Sequence, residues 1–225
     1  MRLWIFLTSR DFIDNFMDTF KRYHFISGSL IAIFVFAHMI NHLISLWGPS
    51  QHLEMMEVLR KGYRVPVLES LLIILILIQV ITGIRFLRVK RNWNLREFQG
   101  IQSWSGLYLL FFLSIHICAV FAGRFILELD TNFYFGVAGL NSFPVNIFFI
   151  PYYGLAIIAF FAHLSSIHNK KMKVKILAIS PLGQARLILA MGILFSLLII
   201  FGLTNHFRGF EIPKEYRILT GEFDS

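Results

Sequence analysis

The sequence predicts an all-α, polytopic membrane protein: five transmembrane helices in an up-down bundle, with the N-terminus in the cytoplasm. Three observations predict it. Hydrophobic residues make up 56% of the 225-residue chain and charged residues 15%, with a mean hydropathy of +0.67. That is more apolar surface than a soluble domain of this size buries. Five charge-poor stretches, at 25–47, 66–88, 103–127, 144–167 and 185–206, are each long enough to cross a hydrocarbon core of about 30 Å. The cations, finally, gather in alternate links.

Pro66, Pro144 and Pro181 precede or open the second, fourth and fifth spans, where a missing N–H is tolerated. Arg2, Arg10, Lys21 and Arg22 of the N-terminal arm share one side with Arg85, Arg88, Lys90, Arg91 and Arg96 of the second link. Lys170, Lys171, Lys173, Lys175 and Arg186 of the fourth link join them, giving fourteen cations. Arg60, Lys61, Arg64, Arg124, Arg208, Lys214 and Arg217 are the seven on the other side. The excess puts the basic side, with the N-terminus, in the cytoplasm. The acidic and aromatic third link, ELDTNFYFGVAGLNSF, suits the outer face. Residues 1–24 read as an interfacial arm, its Asp11–Lys21 stretch mixing charged and apolar positions like a helix lying on the membrane. Residues 25–206 form the bundle, and 207–225 an extracytoplasmic tail. The N-terminus meets acidic residues before an adequate apolar stretch develops, so it does not read as a signal peptide. The expected location is the inner (plasma) membrane of a bacterium, multi-pass, with the lipid bilayer as first partner.

Composition also excludes several functions. The net charge of +8 serves orientation and not nucleic-acid binding. The single cysteine, Cys118, rules out an internal disulfide and a cysteine-based zinc or iron–sulfur site. No flavin or iron–sulfur motif is present, so the chain is not a self-sufficient dehydrogenase. No span is broken at its middle by proline, which argues against a transporter.

Ionisable side chains inside lipid are costly and point to function. The first span begins SGSLIAIFVFAH and the third SGLYLLFFLSIH. Ser27-Gly28 precedes His38 at the spacing at which Ser105-Gly106 precedes His116, and Phe34 coincides with Phe112. Equal spacing on parallel helices sets His38 and His116 at nearly one depth, close to mid-membrane, and Gly28 and Gly106 allow close helix packing. Two neutral imidazoles so placed can be the axial ligands of a haem, or can simply hydrogen-bond across a helix interface. His42, one turn beyond His38, reads as an interfacial residue in reach of water. A non-haem metal on His38, His42 and His116 lacks an acidic ligand deep in a span. His163 in the fourth span lies opposite Gln79 in the second by depth; the two can bond to each other, bond through a quinone or water, or make ordinary helix–helix polar contacts, the last being the preferred reading. Arg22, His24 and Ser27, at the cytoplasmic start of the first span, suit a haem propionate, a quinone carbonyl or simple snorkelling.

SGSLIAIFVFAHMINHLISLWGP and LIQVITGIRFL resemble the first and second spans of the five-helix cytochrome b membrane-anchor subunit of succinate dehydrogenases and fumarate reductases. The resemblance covers about residues 22–168. It implies successive haem-ligand positions at His38, Gln79, His116 and His163, with spacings of 41, 37 and 47. The family carries histidine where this chain has Gln79. The resemblance therefore implies one haem b, of the distal type, on His38 and His116, and at most a modified second site or quinone pocket at Gln79, His163, Arg22, His24 and Ser27. It further implies quinone as substrate and flavoprotein and iron–sulfur subunits on the cytoplasmic side. Self-association into a homo-oligomer is a separate partner reading that the sequence leaves open. The chain itself is then a quinone-reactive or non-catalytic subunit. The competing reading is a cofactor-free scaffold or accessory subunit of a larger membrane complex.

Overall fold

The computed structural model describes residues 2–89 and 93–221, with side chains described over 17–88 and 93–221. Lys90, Arg91 and the last four residues of the tail lie outside it, as do the side chains of Arg2, Arg10 and the first part of the Asp11–Lys21 stretch. The described chain is helical, and five helices are long and apolar enough to cross a membrane. The fold is all-α and polytopic.

The first helix, α1, runs over Arg2–Ile44, with no glycine or proline before Gly28 to break it. At 1.5 Å per residue its 43 residues extend about 65 Å, roughly twice a hydrocarbon core. The expected arm is thus a continuation of the first span. A short 3-10 turn, Ser45–Trp47, leads through Gly48 at φ 121° into α2, Pro49–Tyr63. The remaining spans are α3 (Pro66–Val89), α4 (Phe98–Phe125), α6 (Asn146–Lys171) and α7 (Pro181–Leu203), with a short α5 (Phe133–Asn141) between α4 and α6. Ser180 caps α7 by accepting from the Gly183 N–H, and Asn132 caps α5 by accepting from Tyr134 and Phe135. Both satisfy orphan donors of a helix start.

The spans pack in chain order, α1 on α3, α3 on α4, α4 on α6 and α6 on α7, and α7 returns to α1. The result is a closed ring. The α6–α7 pair is the tightest: a Cβ on Gly192 would overlap the Phe161 Cβ.

The sequence showed links where the structure has a second layer. On the face opposite the basic links, α2, α5 and a final 3-10 helix, Lys214–Thr220, form a cap. Here the core is deepest: Phe133, Val137 and Ala138 are each 1% exposed. The tail turns back through Asn205, His206 and Phe207, all at φ of 50–65°. Phe210 N–H then donates to Asn141 Oδ1 at 3.0 Å, and Tyr216 Oη–H to the Asp130 carbonyl at 3.1 Å. Over its described residues, 207–221, it is a folded part of the cap and not a free tail.

Cap cations are matched to acids. Arg60 pairs with Asp130 at 3.0 Å, Arg64 donates to Thr131 at 2.8 Å, and Arg124 pairs with Glu69 across α4 and α3. These three of the seven cations on that face are partnered, which sharpens the charge asymmetry between the faces.

Candidate functional site

The sequence repeat is a repeat in space. Ser27 Oγ accepts from the Gln79 amide at 2.8 Å, and Gln79 also donates to the His24 carbonyl. Ser105 Oγ lies 3.3 Å from His163 Nδ1. A Cβ on Gly28 would come to 2.9 Å from Gln79 Nε2, and one on Gly106 to 3.3 Å from His163 Cε1. Each Ser-Gly pair therefore accepts the polar side chain of the next span: serine bonds it and glycine leaves it room. The glycines do permit close packing, but what approaches is a side chain. Gln79 and His163 are not bonded to each other; each makes an ordinary helix–helix polar contact with the serine of its own helical pair.

Around Gln79 lies a polar cluster at the basic end of the bundle. His24 Nδ1 is 2.7 Å from Thr82 Oγ, and the Thr82 hydroxyl donates to the Ile78 carbonyl at 2.5 Å. Ser27 is 2% and Thr82 3% exposed. Arg22, grouped with them from the sequence, is exposed on α1. Thr82 is a member the sequence reading missed; it sits three residues after Gln79, on the same face.

The second turn of the repeat carries the histidines. Phe34 stacks on His38 at 5.9 Å between ring centroids and 14° between planes, and Phe112 stacks on His116 at 5.3 Å and 14°. The two imidazoles meet from α1 and α4 in an edge contact, with centroids 6.3 Å apart and 64° between planes. A metal–imidazole nitrogen bond is about 2.0–2.1 Å. The nitrogen lies about 1.15 Å from its ring centre, so two imidazoles on opposite sides of one metal have centres about 6.3–6.5 Å apart. The centroid separation is of that order, while His38 Nε2 is directed at His42, 3.0 Å away, and not at a centre shared with His116. His38 stands nine residues before Trp47, the end of the first span, and His116 nine residues before the end of α4, about 13–14 Å along each axis, so the two lie at the same distance from the cap-side ends.

His42 is half-buried near the cap-side end of α1, and both of its ring nitrogens have partners. Its Nε2 lies 3.0 Å from His38 Nε2, and its Nδ1 lies 3.2 Å from Nε2 of His52 on α2. Asn41 Nδ2 donates to the same His52 nitrogen at 3.3 Å. An amide nitrogen only donates, so His52 Nε2 is an acceptor. His42 then donates from Nδ1 and accepts at Nε2 from His38. For this His38 nitrogen to bind a metal, the proton it donates to His42 would have to sit on His38 Nδ1 instead, and the His42 bond would be lost. His52 is 2% and Asn41 3% exposed; His52 Nδ1 and Asn41 Oδ1 are buried without a partner. Burial, and then the nearby Arg60 charge, push the His52 pKa down to about 4.

No specific role for His52 or Asn41 was legible in the sequence. The signal for His52 was the spacing of His52, Met56 and Arg60, the buried stripe of α2, at the period of an amphipathic helix. For Asn41 it was an amide inside a charge-free run, which needs partners. Among the described residues, no group of three or more His, Cys, Asp or Glu side chains is placed to hold a metal ion.

Comparison with protein-family models, with curated proteins and with solved structures finds no match.

Proposed function

We propose that this chain is a membrane-anchor, b-type haem electron-transfer subunit that passes electrons between a partner dehydrogenase or reductase and quinone. It is a divergent relative of the five-helix succinate dehydrogenase and fumarate reductase anchors, lying in a bacterial inner membrane. The observation that carries this reading is the His38–His116 pair: imidazoles from parallel spans, 6.3 Å apart, each backed by a stacked phenylalanine one turn before it.

His38 and His116 would hold the iron, and the bound haem supplies one-electron redox chemistry. Phe34 and Phe112 fix the two ring planes and keep water away. At the basic end, the polar cluster of His24, Ser27, Gln79 and Thr82 is the place where a quinone carbonyl would accept a hydrogen bond, with His24 as the donor. A flavoprotein and iron–sulfur partner docks on that same face. Gln79 is committed to Ser27 and the His24 carbonyl, so the reading takes one haem and not two.

The test is a reduced-minus-oxidised absorption spectrum of the purified chain. A b-type band that is lost in both His38→Ala and His116→Ala supports the reading; a colourless preparation overturns it. A cofactor-free scaffold is favoured by one observation, the 3.0 Å His38–His42 bond, which satisfies His38 without iron. It predicts no band and mild effects of both substitutions.

A further inference from the structure

We propose that the groove between α1, α6 and α7 at the basic face is a binding site for one anionic phospholipid. The inference does not depend on haem. The groove, about 520 Å³, is walled by Phe36 of α1, Phe161 and Leu164 of α6, and Ile188 and Met191 of α7, with Lys171 at its mouth. An apolar crevice between spans that ends in a cation matches an acyl chain with a negative headgroup.

The mouth is built, not incidental. Lys171 Nζ sits 3.1 Å from the centre of the Phe25 ring, so a lysine of α6 bridges to α1 across the opening. His168 Nε2 lies 2.8 Å from Gln184 Oε1, and the Gln184 amide donates to the Val174 and Ile179 carbonyls at 3.1 and 2.9 Å. These bonds pin the loop between α6 and α7 against the groove end. That loop closes as a hairpin: Ile176 and Ile179 exchange backbone hydrogen bonds at 3.2 and 2.9 Å.

Charge decides the occupant. Lys170, Lys171, Lys173 and Lys175 fall within six residues, and no Asp or Glu occurs anywhere from 131 to 210. Lys173 and Lys175 are exposed. They alternate with Val174 and Ile176, which are 65% and 49% exposed, and the hairpin tip Leu177 is 90% exposed. Leu177 and Ala178 hold φ of 49° and 63°, a turn that favours Asn or Gly; the chain accepts that cost and presents a leucine there. Lysines between apolar side chains at a membrane surface bind the boundary of headgroup and acyl chain. The lysines meet the phosphate while the apolar residues enter the lipid.

The experiment reconstitutes the full chain in nanodiscs of equal parts phosphatidylglycerol and phosphatidylcholine. Lipid retained on release into mild detergent is counted by native mass spectrometry. The expected result is a preference for phosphatidylglycerol of about tenfold, the order for one or two lysines acting on one headgroup. Lys173→Gln with Lys175→Gln should reduce it several-fold, and adding Lys171→Gln should bring it near unity. Met191→Trp, which fills the groove, should reduce both the preference and the total lipid retained. Equal retention of the two lipids by the unaltered chain overturns the site and leaves the face to an acidic protein partner. A preference that the lysine variants do not change overturns it too. A preference lost in the lysine variants but intact in Met191→Trp reduces the effect to diffuse surface attraction and also overturns it. Retained helical circular dichroism shows that each variant is folded.

Discussion

Gln79 shows how one side chain can be bound into a membrane without a cofactor. Its amide donates to Ser27 Oγ and to the His24 carbonyl, in space kept open by Gly28. Gln79→Leu removes both bonds and leaves the acceptors in lipid. Interhelical hydrogen bonds in membranes contribute about 0.6–1.7 kcal/mol, so the variant should lose about 1 kcal/mol in a denaturation titration in detergent. An unchanged midpoint would show that the amide is spare. The same logic applies to Ser105 and His163. The Ser-Gly and histidine positions were legible in the sequence because the repeat has a fixed spacing. Their partners were not: depth alone paired Gln79 with His163, and depth carries no information about azimuth around the bundle.

At the scale of single elements, α2 joins the cap to the site through His52. Its pKa, pushed down to about 4 by burial and then by the Arg60 charge, lies below the value near 6.5 of an unfolded histidine. The unfolded chain therefore binds more protons between these values. Stability is full above about pH 6.5 and falls as pH drops through that window toward 4. The size of the effect is on the order of 3 kcal/mol. Thermal unfolding in detergent should show the melting temperature falling between pH 7 and 5 in the native chain. His52→Gln should start lower at pH 7 and fall less. Parallel pH profiles would remove His52 as the cause. The α6–α7 contact gives a second test. Gly192→Ala places a methyl on the Phe161 Cβ and should cost about 1–3 kcal/mol by overpacking. Gly136→Ala, with nothing within 4 Å of its Cβ, should leave the melting temperature unchanged or slightly raised.

Across the whole molecule, the five spans were legible because about 20 apolar residues in a row have few other uses. The cap was not. α2 has a buried stripe that mixes His52 and Arg60 with Met56, so hydropathy reads it as a polar link, and α5 is apolar but only nine residues long, too short to read as a span. The tail hid its fold for a similar reason: Tyr216 and Phe210 are anchored by single hydrogen bonds to distant residues, which no local pattern reports. The cap also sets what the site can do. His38 belongs at once to a pair with His116 and, through His42, to a hydrogen-bonded row that ends in α2. If His38 binds iron, cutting the row at α2 should be felt there: Asn41→Leu should shift the haem midpoint potential, while His116→Ala abolishes the band. A potential identical to that of the native chain would separate cap from haem.

The ring of spans has an odd number of members, and an odd ring cannot alternate direction all the way round. Four seams are antiparallel and one, where α7 meets α1, must be parallel. It is a frustrated bond in the sense used for spins on a ring. Helix dipoles cancel across the other seams and add across this one. Both helices bring their carbonyl ends to the cap face there, where Asn141 Nδ2 donates to the Leu203 carbonyl and Ser45 to that of His42. The lipid-accessible groove opens along that same seam. Parity alone thus picks out the joint at which the ring is least sealed by its own electrostatics, and at which an outside molecule has most to contribute.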